Sequence, residues 1–265
     1  LIASKVFDNG LLMKKRLVLE LKKGGLGDHL FYSHIPRIAK ESGAYEEVLI
    51  SNHSIFRNEA YRNLIWELNP FVDGFTDEPG LYYQVEKLNG NENLLDRLML
   101  MYGLDDGKRW HEPELFYTPE KQLAYQNCHI YDPNYISYTG DLTSGQLIQN
   151  WFIESGVTID FQMQKLNQRF LTIEEGKILK TGSILDLCSL IVSCKRMYCL
   201  TTGTATLAAA LHVPVTVFYG TGHEQLYRHS RLHEYVHVGT DYNFADKVKK
   251  EVVLFLGKFL KLGVR

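Results

Sequence analysis

Several features are missing from this chain of 265 residues, and each absence removes a class of function. No Asp-x-Asp pair occurs, the arrangement that holds Mg²⁺ or Mn²⁺ against a nucleotide in one large group of transferases. Cysteine is scarce, at four residues (Cys128, Cys188, Cys194, Cys199) with no Cys-x-x-Cys pair. That argues against a zinc knuckle or a disulfide scaffold and for buried thiols in a reducing compartment. There is no surplus of one charge: the formal net charge is −2. Without a basic field, nucleic acid is not an expected partner. No apolar run reaches the roughly 18 residues of a membrane span. The first glycine turn lacks the G-x-G-x-x-G spacing, and Ser51-Asn52-His53, not an acidic residue, ends the second strand, so a dinucleotide oxidoreductase is not favoured.

What is present is alternation. The most legible stretch is 197–220. Apolar Met197 to Leu200 reads as a buried strand, Thr202-Gly203-Thr204 as a turn, and the alanine-rich run Ala205 to Leu211 as a helix lying close to a neighbour. Val215 to Phe218 is the next strand, ending at Gly220. Such a unit puts a helix N-terminus with free N–H groups at the carboxyl end of a strand, where open α/β sheets hold phosphate. Gly203 lets the backbone approach an anion, and Thr202 and Thr204 add hydroxyl donors. A close helix–sheet contact without ligand accounts for the same residues.

Upstream, Met13-Lys14-Lys15 reads as a natural start, with residues 1–12 as an upstream extension. Arg16 to Leu21 is a first strand, followed by the turn Lys22 to Asp28 and a helix from His29 to about Ser42 that Pro36 should bend. Strands are expected at Glu47 to Ser51 and Val72 to Phe75, with helices at Phe56 to Leu68 and Asn93 to Tyr102. A Pro-, Gly- and charge-rich segment leads to a linker near 117–127. In the second half Asn134 to Tyr138 is a strand, Thr139-Gly140-Asp141 a turn, and Ser144 the cap of a helix that Gly156 ends. Residues 161–179 show no clear period. Ser183 caps an apolar helix over 184–193. Short segments at 223–228 and 235–238 precede a closing amphipathic helix, 244–262, flanked by Lys247, Lys250, Lys258 and Lys261. The pattern predicts an α/β protein of two Rossmann-like, doubly wound halves facing across a cleft, divided as 13–122 and 123–265.

Two motifs, taken together and in order, resemble the bacterial heptosyltransferase family, which has the two-domain GT-B fold. One is the first strand with Gly24-Gly25-Leu26-Gly27-Asp28-His29-Leu30 and then Pro36. The other is Thr201-Thr202-Gly203-Thr204-Ala205-Thr206-Leu207-Ala208-Ala209-Ala210-Leu211, closing in Val215 to Gly220. They cover about a quarter of the chain. The family carries Asp-Thr-Gly-x-x-His in the second motif. Here Thr201 stands for the Asp, which contacts the donor sugar in the family, and Thr206 stands for the His.

The resemblance implies a glycosyltransferase with a nucleotide-sugar donor and a bacterial surface glycan or lipid-linked acceptor, needing no metal or other cofactor. By resemblance Asp28 is the general base; as a residue it is equally a helix N-cap. Thr202, Gly203 and Thr204 would hold the donor diphosphate, while Gly24, Gly25 and Gly27 shape the cleft wall. Thr139, Gly140 and Ser144 form a second strand-end turn that either meets phosphate or is an ordinary loop. Glu224 would bind a ribose hydroxyl pair and His223 a phosphate, or both are solvated. His223, His229, His233 and His237 share no helical face, which argues against zinc. The expected location is cytoplasmic, with peripheral contact to the inner membrane face if the C-terminal lysines meet lipid. A nucleotide-sugar hydrolase or epimerase, and a nucleotide- or glycan-binding protein without turnover, are the alternatives.

Overall fold

The computed structural model describes residues 15–83, 92–135, 139–166, 169–223 and 227–238. Its strands form an α/β fold with a large parallel sheet. A first, three-stranded parallel sheet has the order β1 (Arg16–Leu19), β2 (Glu47–Ser51), β3 (Gly74–Thr76). Leu81 adds a parallel bridge to Leu19 at the free side of β1.

Between these strands the expected helix over 29–42 divides into α1 (Leu26–Leu30) and α2 (Ile35–Glu41). The correction has a simple cause. Pro36 sits in the first turn of α2, where its missing N–H leaves no bond unmade, so it starts a helix instead of bending one. The helix expected over 56–68 is a single turn, α3 (Glu59–Tyr61), running into a π-helical segment, Arg62–Glu67. Then α4 (Leu94–Met101) opens on a reciprocal cap: Asn93 accepts from Asp96 N–H at 2.9 Å, and Asp96 accepts from Asn93 N–H at 3.3 Å.

The large sheet begins with β4 (His129–Asp132), a strand that the sequence pattern hid. Only Asn134–Tyr135 (β5) of the strand expected next is found among the described residues. It pairs antiparallel with β7 (Arg169–Phe170) outside the large sheet. Ser144 caps α5 (Gly145–Ser155), and Gly156 ends it at φ +67°. The illegible stretch supplies β6 (Phe161–Met163) and β8 (Lys177–Leu179). Capped by Ser183, α6 (Ile184–Ser193) follows, then β9 (Arg196–Leu200), α7 (Gly203–Ala210), β10 (Thr216–Tyr219) and β11 (Glu234–His237). The closing helix expected over 244–262 lies outside the described residues.

All pairings in this six-stranded sheet are parallel, in the order β11-β10-β9-β4-β6-β8. The chain therefore starts in the middle, at β4, builds outward through β6 and β8, then returns to add β9, β10 and β11 on the other side. This is the doubly wound order, and its switch point lies between β4 and β9. Alternation along β9 distributes the core: Met197 and Cys199 pack with α6 and α7, while Tyr198 and Leu200 pack with α5. The α6–α7 cluster is continuous with Leu17, Leu19 and Ile50 of the first sheet and with Trp66 of the π-helical segment. Full burial of one such leucine stabilises by about 2–3 kcal/mol, so this shared core is a substantial joint between the sheets.

Candidate functional site

The two glycine turns meet. α1 and α7 start against each other, with Gly27 and Gly203 at the contact. A Cβ on Gly203 would lie 3.1 Å from Gly27 N, and one on Gly27 would lie 3.3 Å from Gly203 Cα. A side chain at either position would press on the other turn's backbone, so glycine suits this close approach whatever else the turns do. Alanines at 205 and 208–210 follow the same logic: every residue from Thr204 to Ala210 is buried, so only small side chains fit around most of the helix.

A cleft of about 950 Å³ opens beside this contact. Gly24, Gly25, Gly27 and Asp28 line it from the first sheet's side, and Thr201, Thr202, Gly203 and Thr204 from the switch point of the large sheet. Gly182 and Ser183, at the start of α6, join the wall. The cleft thus receives the starts of α1, α6 and α7 and the carboxyl ends of β4 and β9, the arrangement that favours an anion.

Asp28 is half-buried, and its Oδ2 accepts the Gly25 N–H at 3.0 Å. One carboxylate oxygen is thus engaged in capping α1, and the side chain still faces the cleft. Gly24 is pinned by the loop above it: its carbonyl accepts the Arg57 N–H at 3.0 Å, and a Cβ there would meet Ile55 O at 2.9 Å. At the C-terminal end of β9, the Thr201 and Thr202 hydroxyls are buried without a hydrogen-bond partner among the described residues. Thr202 is the N-cap of α7 by position, yet its side chain makes no capping bond. Buried hydroxyls are ordinarily paired, so these two groups are available to a ligand.

Thr204 is committed elsewhere. Its hydroxyl donates to Asp132 Oδ2 at 2.6 Å. Asp132 stands at the end of β4, across the switch point, and sequence reading overlooked it. Its Oδ1 accepts from Asn134 N–H at 3.0 Å and from Asn134 Nδ2 at 2.7 Å. Burial pushes this carboxyl above its usual range, against the pull of the Thr204 and Asn134 bonds. Asp132 thus places a buried acid at the end of the strand beside Thr201. The signal in the sequence was Asp132-Pro133, an acid before a proline at the end of the mixed segment His129-Ile130-Tyr131, which is weak without the strand order.

Cations also reach the cleft. Lys22 pairs with Glu20. Lys23 and Arg57 are exposed, line the cleft, and have no carboxylate partner among the described residues. Tyr32, Tyr61, Tyr82 and Tyr83 form an aromatic flank on the same side.

Other expected site residues lie elsewhere. Ser144 caps its own helix, accepting from Gln146 N–H at 3.2 Å. Thr139 and Gly140 pack on the end of β10: the Thr139 carbonyl accepts the Gly220 N–H at 2.7 Å, and Gly140, at φ +69°, has Gly220 O where a Cβ would stand. None of the three lines the cleft. Glu224 falls outside the described residues. The histidines do not converge: His233 Nε2 donates to Ala205 O at 2.8 Å, and His237 Nε2 meets Thr221 Oγ1 at 3.1 Å. Among the described residues no three His, Cys, Asp or Glu side chains gather as metal ligands do. No helix among them is long and apolar enough to cross a membrane.

The strand order, with a cleft at its switch point, defines a doubly wound α/β fold. Comparison with solved structures makes the fold specific: it is that of the family 9 glycosyltransferases and heptosyltransferases. A glycosyl transferase family 9 protein from Veillonella parvula superposes with a TM-score of 0.57 at 10% identity, over 89% of each chain. The dodecameric, iron-containing glycosyltransferase TibC from enterotoxigenic E. coli gives 0.60 at 14% identity, over 88% of this chain and 65% of TibC, so this chain spans under two thirds of that protein's length. E. coli ADP-heptose lps heptosyltransferase II gives 0.54 at 13% identity, over 84% and 90% of the two chains. No family profile and no curated protein sequence matches the chain significantly.

Proposed function

We propose that this chain is a GT-B-type glycosyltransferase that moves a sugar from a nucleotide-activated donor to a hydroxyl of a bacterial surface glycan or lipopolysaccharide acceptor. One observation carries the reading: two turns more than 170 residues apart, at Asp28 and Gly203, line a single cleft at the switch point of the large sheet. The fold likeness to TibC, solved with ADP-D-beta-D-heptose, supports a nucleotide-sugar donor. In this reading the first sheet and the large sheet are the acceptor and donor halves.

The chemistry follows from the residues. An acceptor hydroxyl held beside Asp28 loses its proton to the carboxylate as its oxygen attacks the anomeric carbon. The bond from that carbon to the diphosphate breaks, and the negative charge moves to the leaving group. The N–H groups at the start of α7, the free hydroxyls of Thr201 and Thr202, and the cations Lys23 and Arg57 stabilise that charge, so no metal is required. The capping bond from Gly25 holds the Asp28 carboxylate in place. The enclosing walls limit water, which would otherwise hydrolyse the donor.

A second reading, a binding protein without turnover, is favoured by Thr201 and Thr206 in place of an acid and a histidine. A thermal-shift panel of ADP, GDP, UDP, CMP and their sugar conjugates, with and without EDTA, tests the donor site. One nucleoside diphosphate should raise Tm, with EDTA making no difference, because a ligand that binds only the folded chain stabilises it. No shift with any nucleotide sinks the donor site. A shift in the absence of any transfer or hydrolysis favours the binding protein.

A further inference from the structure

His229 lies between β10 and β11, in the wall of the same cleft, and the chemistry above does not use it. It is 4% exposed. Phe31, at the end of α1, packs on its ring with centroids 4.4 Å apart. Its Nδ1 lies 3.4 Å from Thr206 Oγ1, which itself lies 3.2 Å from the Thr202 carbonyl oxygen. Thr206 has a single hydroxyl proton, and a carbonyl only accepts. Both contacts are hydrogen bonds together in one arrangement alone: the hydroxyl donates to Thr202 O, and His229 Nδ1–H donates to the hydroxyl oxygen. That tautomer leaves Nε2 as a bare acceptor. Among the described residues Nε2 has no hydrogen-bond partner. Buried polar atoms are rarely left so, and Nε2 is open to a donor brought into the cleft.

We infer that His229 accepts a hydrogen bond from a hydroxyl of the bound nucleotide sugar, fixing the donor against the turn at Thr202 and Gly203. The inference rests on the nucleotide-sugar reading. A phosphate oxygen is not the partner, since it offers no proton to the Nε2 lone pair. The ring also stays neutral: burial first, then the nearby His223 and His233, lowers its pKa to about 3. The hydroxyl belongs either to the ribose or to the transferred sugar, and the experiment separates them.

Binding of free nucleoside diphosphate and of its sugar conjugate is measured calorimetrically for the parent, His229→Phe and His229→Gln. Phenylalanine keeps a ring against Phe31 and removes the acceptor; glutamine returns an amide oxygen near the Nε2 position. His229→Phe should bind the sugar conjugate roughly five- to tenfold more weakly, and His229→Gln should recover most of the loss. Weakening of the conjugate alone assigns the transferred sugar; equal weakening of the free diphosphate assigns the ribose. His229→Phe binding both ligands as the parent does overturns the inference and leaves the function reading standing. No binding by the parent overturns both. If His229→Phe does not fold, the ¹⁵N resonance of His229 Nε2 in the unsubstituted protein decides. It should move upfield when the donor saturates the site, and an unmoved resonance overturns the inference.

Discussion

His29 gives the sharpest test of how the turn at Asp28 is held. It follows Asp28 directly, is fully buried, and stacks on Phe56 with centroids 4.5 Å apart. Its two ring nitrogens have partners of opposite kind. Nε2 lies 2.9 Å from Ile55 O, which only accepts, and Nδ1 lies 3.0 Å from Trp66 Nε1, which only donates. The neutral Nε2–H tautomer is therefore required. A second proton on Nδ1 would face the Trp66 N–H and put a charge in the core. Burial accordingly lowers the pKa from 6.5 to about 4, against the opposing pull of the Ile55 bond. A base with a depressed folded pKa binds fewer protons folded than unfolded, so stability rises with pH across the window from about 4 to 6.5 and is lost as pH falls through it. The full window is worth about 3 kcal/mol. Between pH 7.5 and 5.5 the loss from this residue is about 1.3 kcal/mol. His29→Phe removes the titration, at a cost of roughly 2–4 kcal/mol at pH 7.5 for the unpaired Trp66 N–H and Ile55 carbonyl. Urea unfolding of both proteins at the two pH values, followed by tryptophan fluorescence, should show the stability gap closing by about 1.3 kcal/mol at pH 5.5. His34, His229 and His233, also depressed, and His111, raised by Asp96, titrate in both proteins and cancel in this difference. A gap independent of pH, or a native His29 titrating near 6.5 by NMR, refutes the tautomer argument.

Asp28→Asn keeps an acceptor for the Gly25 N–H, so Tm should change by no more than a few degrees while transfer falls about 10²–10⁴-fold; an active Asn variant removes Asp28 as the base. Gly145→Ala puts a Cβ 1.9 Å from the Thr172 carbonyl oxygen, so the start of α5 must shift, and a Tm within a few degrees of the parent would contradict that packing. Gly203→Val should separate α1 from α7 and cost both stability and nucleotide binding, read by thermal shift without and with the diphosphate. Arg57→Ala should leave Tm nearly unchanged, since the side chain is exposed, and should weaken diphosphate binding with a reduced salt dependence; an unchanged Kd removes it from the site.

Legibility followed locality. Ser144, Ser183 and Gly156 announced their helices because caps are local hydrogen-bonding devices. The strands β1, β2, β9 and β10 were visible as apolar runs, as strands buried on both faces should be. β4 was hidden because His129-Ile130-Tyr131-Asp132 mixes polar and apolar residues. Its Tyr131 hydroxyl is satisfied at 2.6 Å by the Leu171 carbonyl, a partner 40 residues away. β6 and β8 were too short for any period to show. In the site, Asp28 and the Thr202–Thr204 turn stood out by glycine spacing; Asp132 had only the weak Asp-Pro signal, His229 was one of four histidines without a shared face, and Arg57 carried none. The turn at Thr139 and Gly140 resembled a phosphate loop in composition, but its partner is the end of β10.

By itself the sequence determined the α/β class, the positions of both glycine turns and the strand–turn–helix character of each, because backbone conformation, capping and burial period are short-range properties. The tertiary structure decided that the two turns face one another, that Thr204 is bonded to Asp132 across the switch point, and which imidazole nitrogen at His229 remains open. Those outcomes depend on strand order and on contacts between residues far apart in the chain. Only a packed sheet, with its switch point between β4 and β9, brings such residues within hydrogen-bond reach.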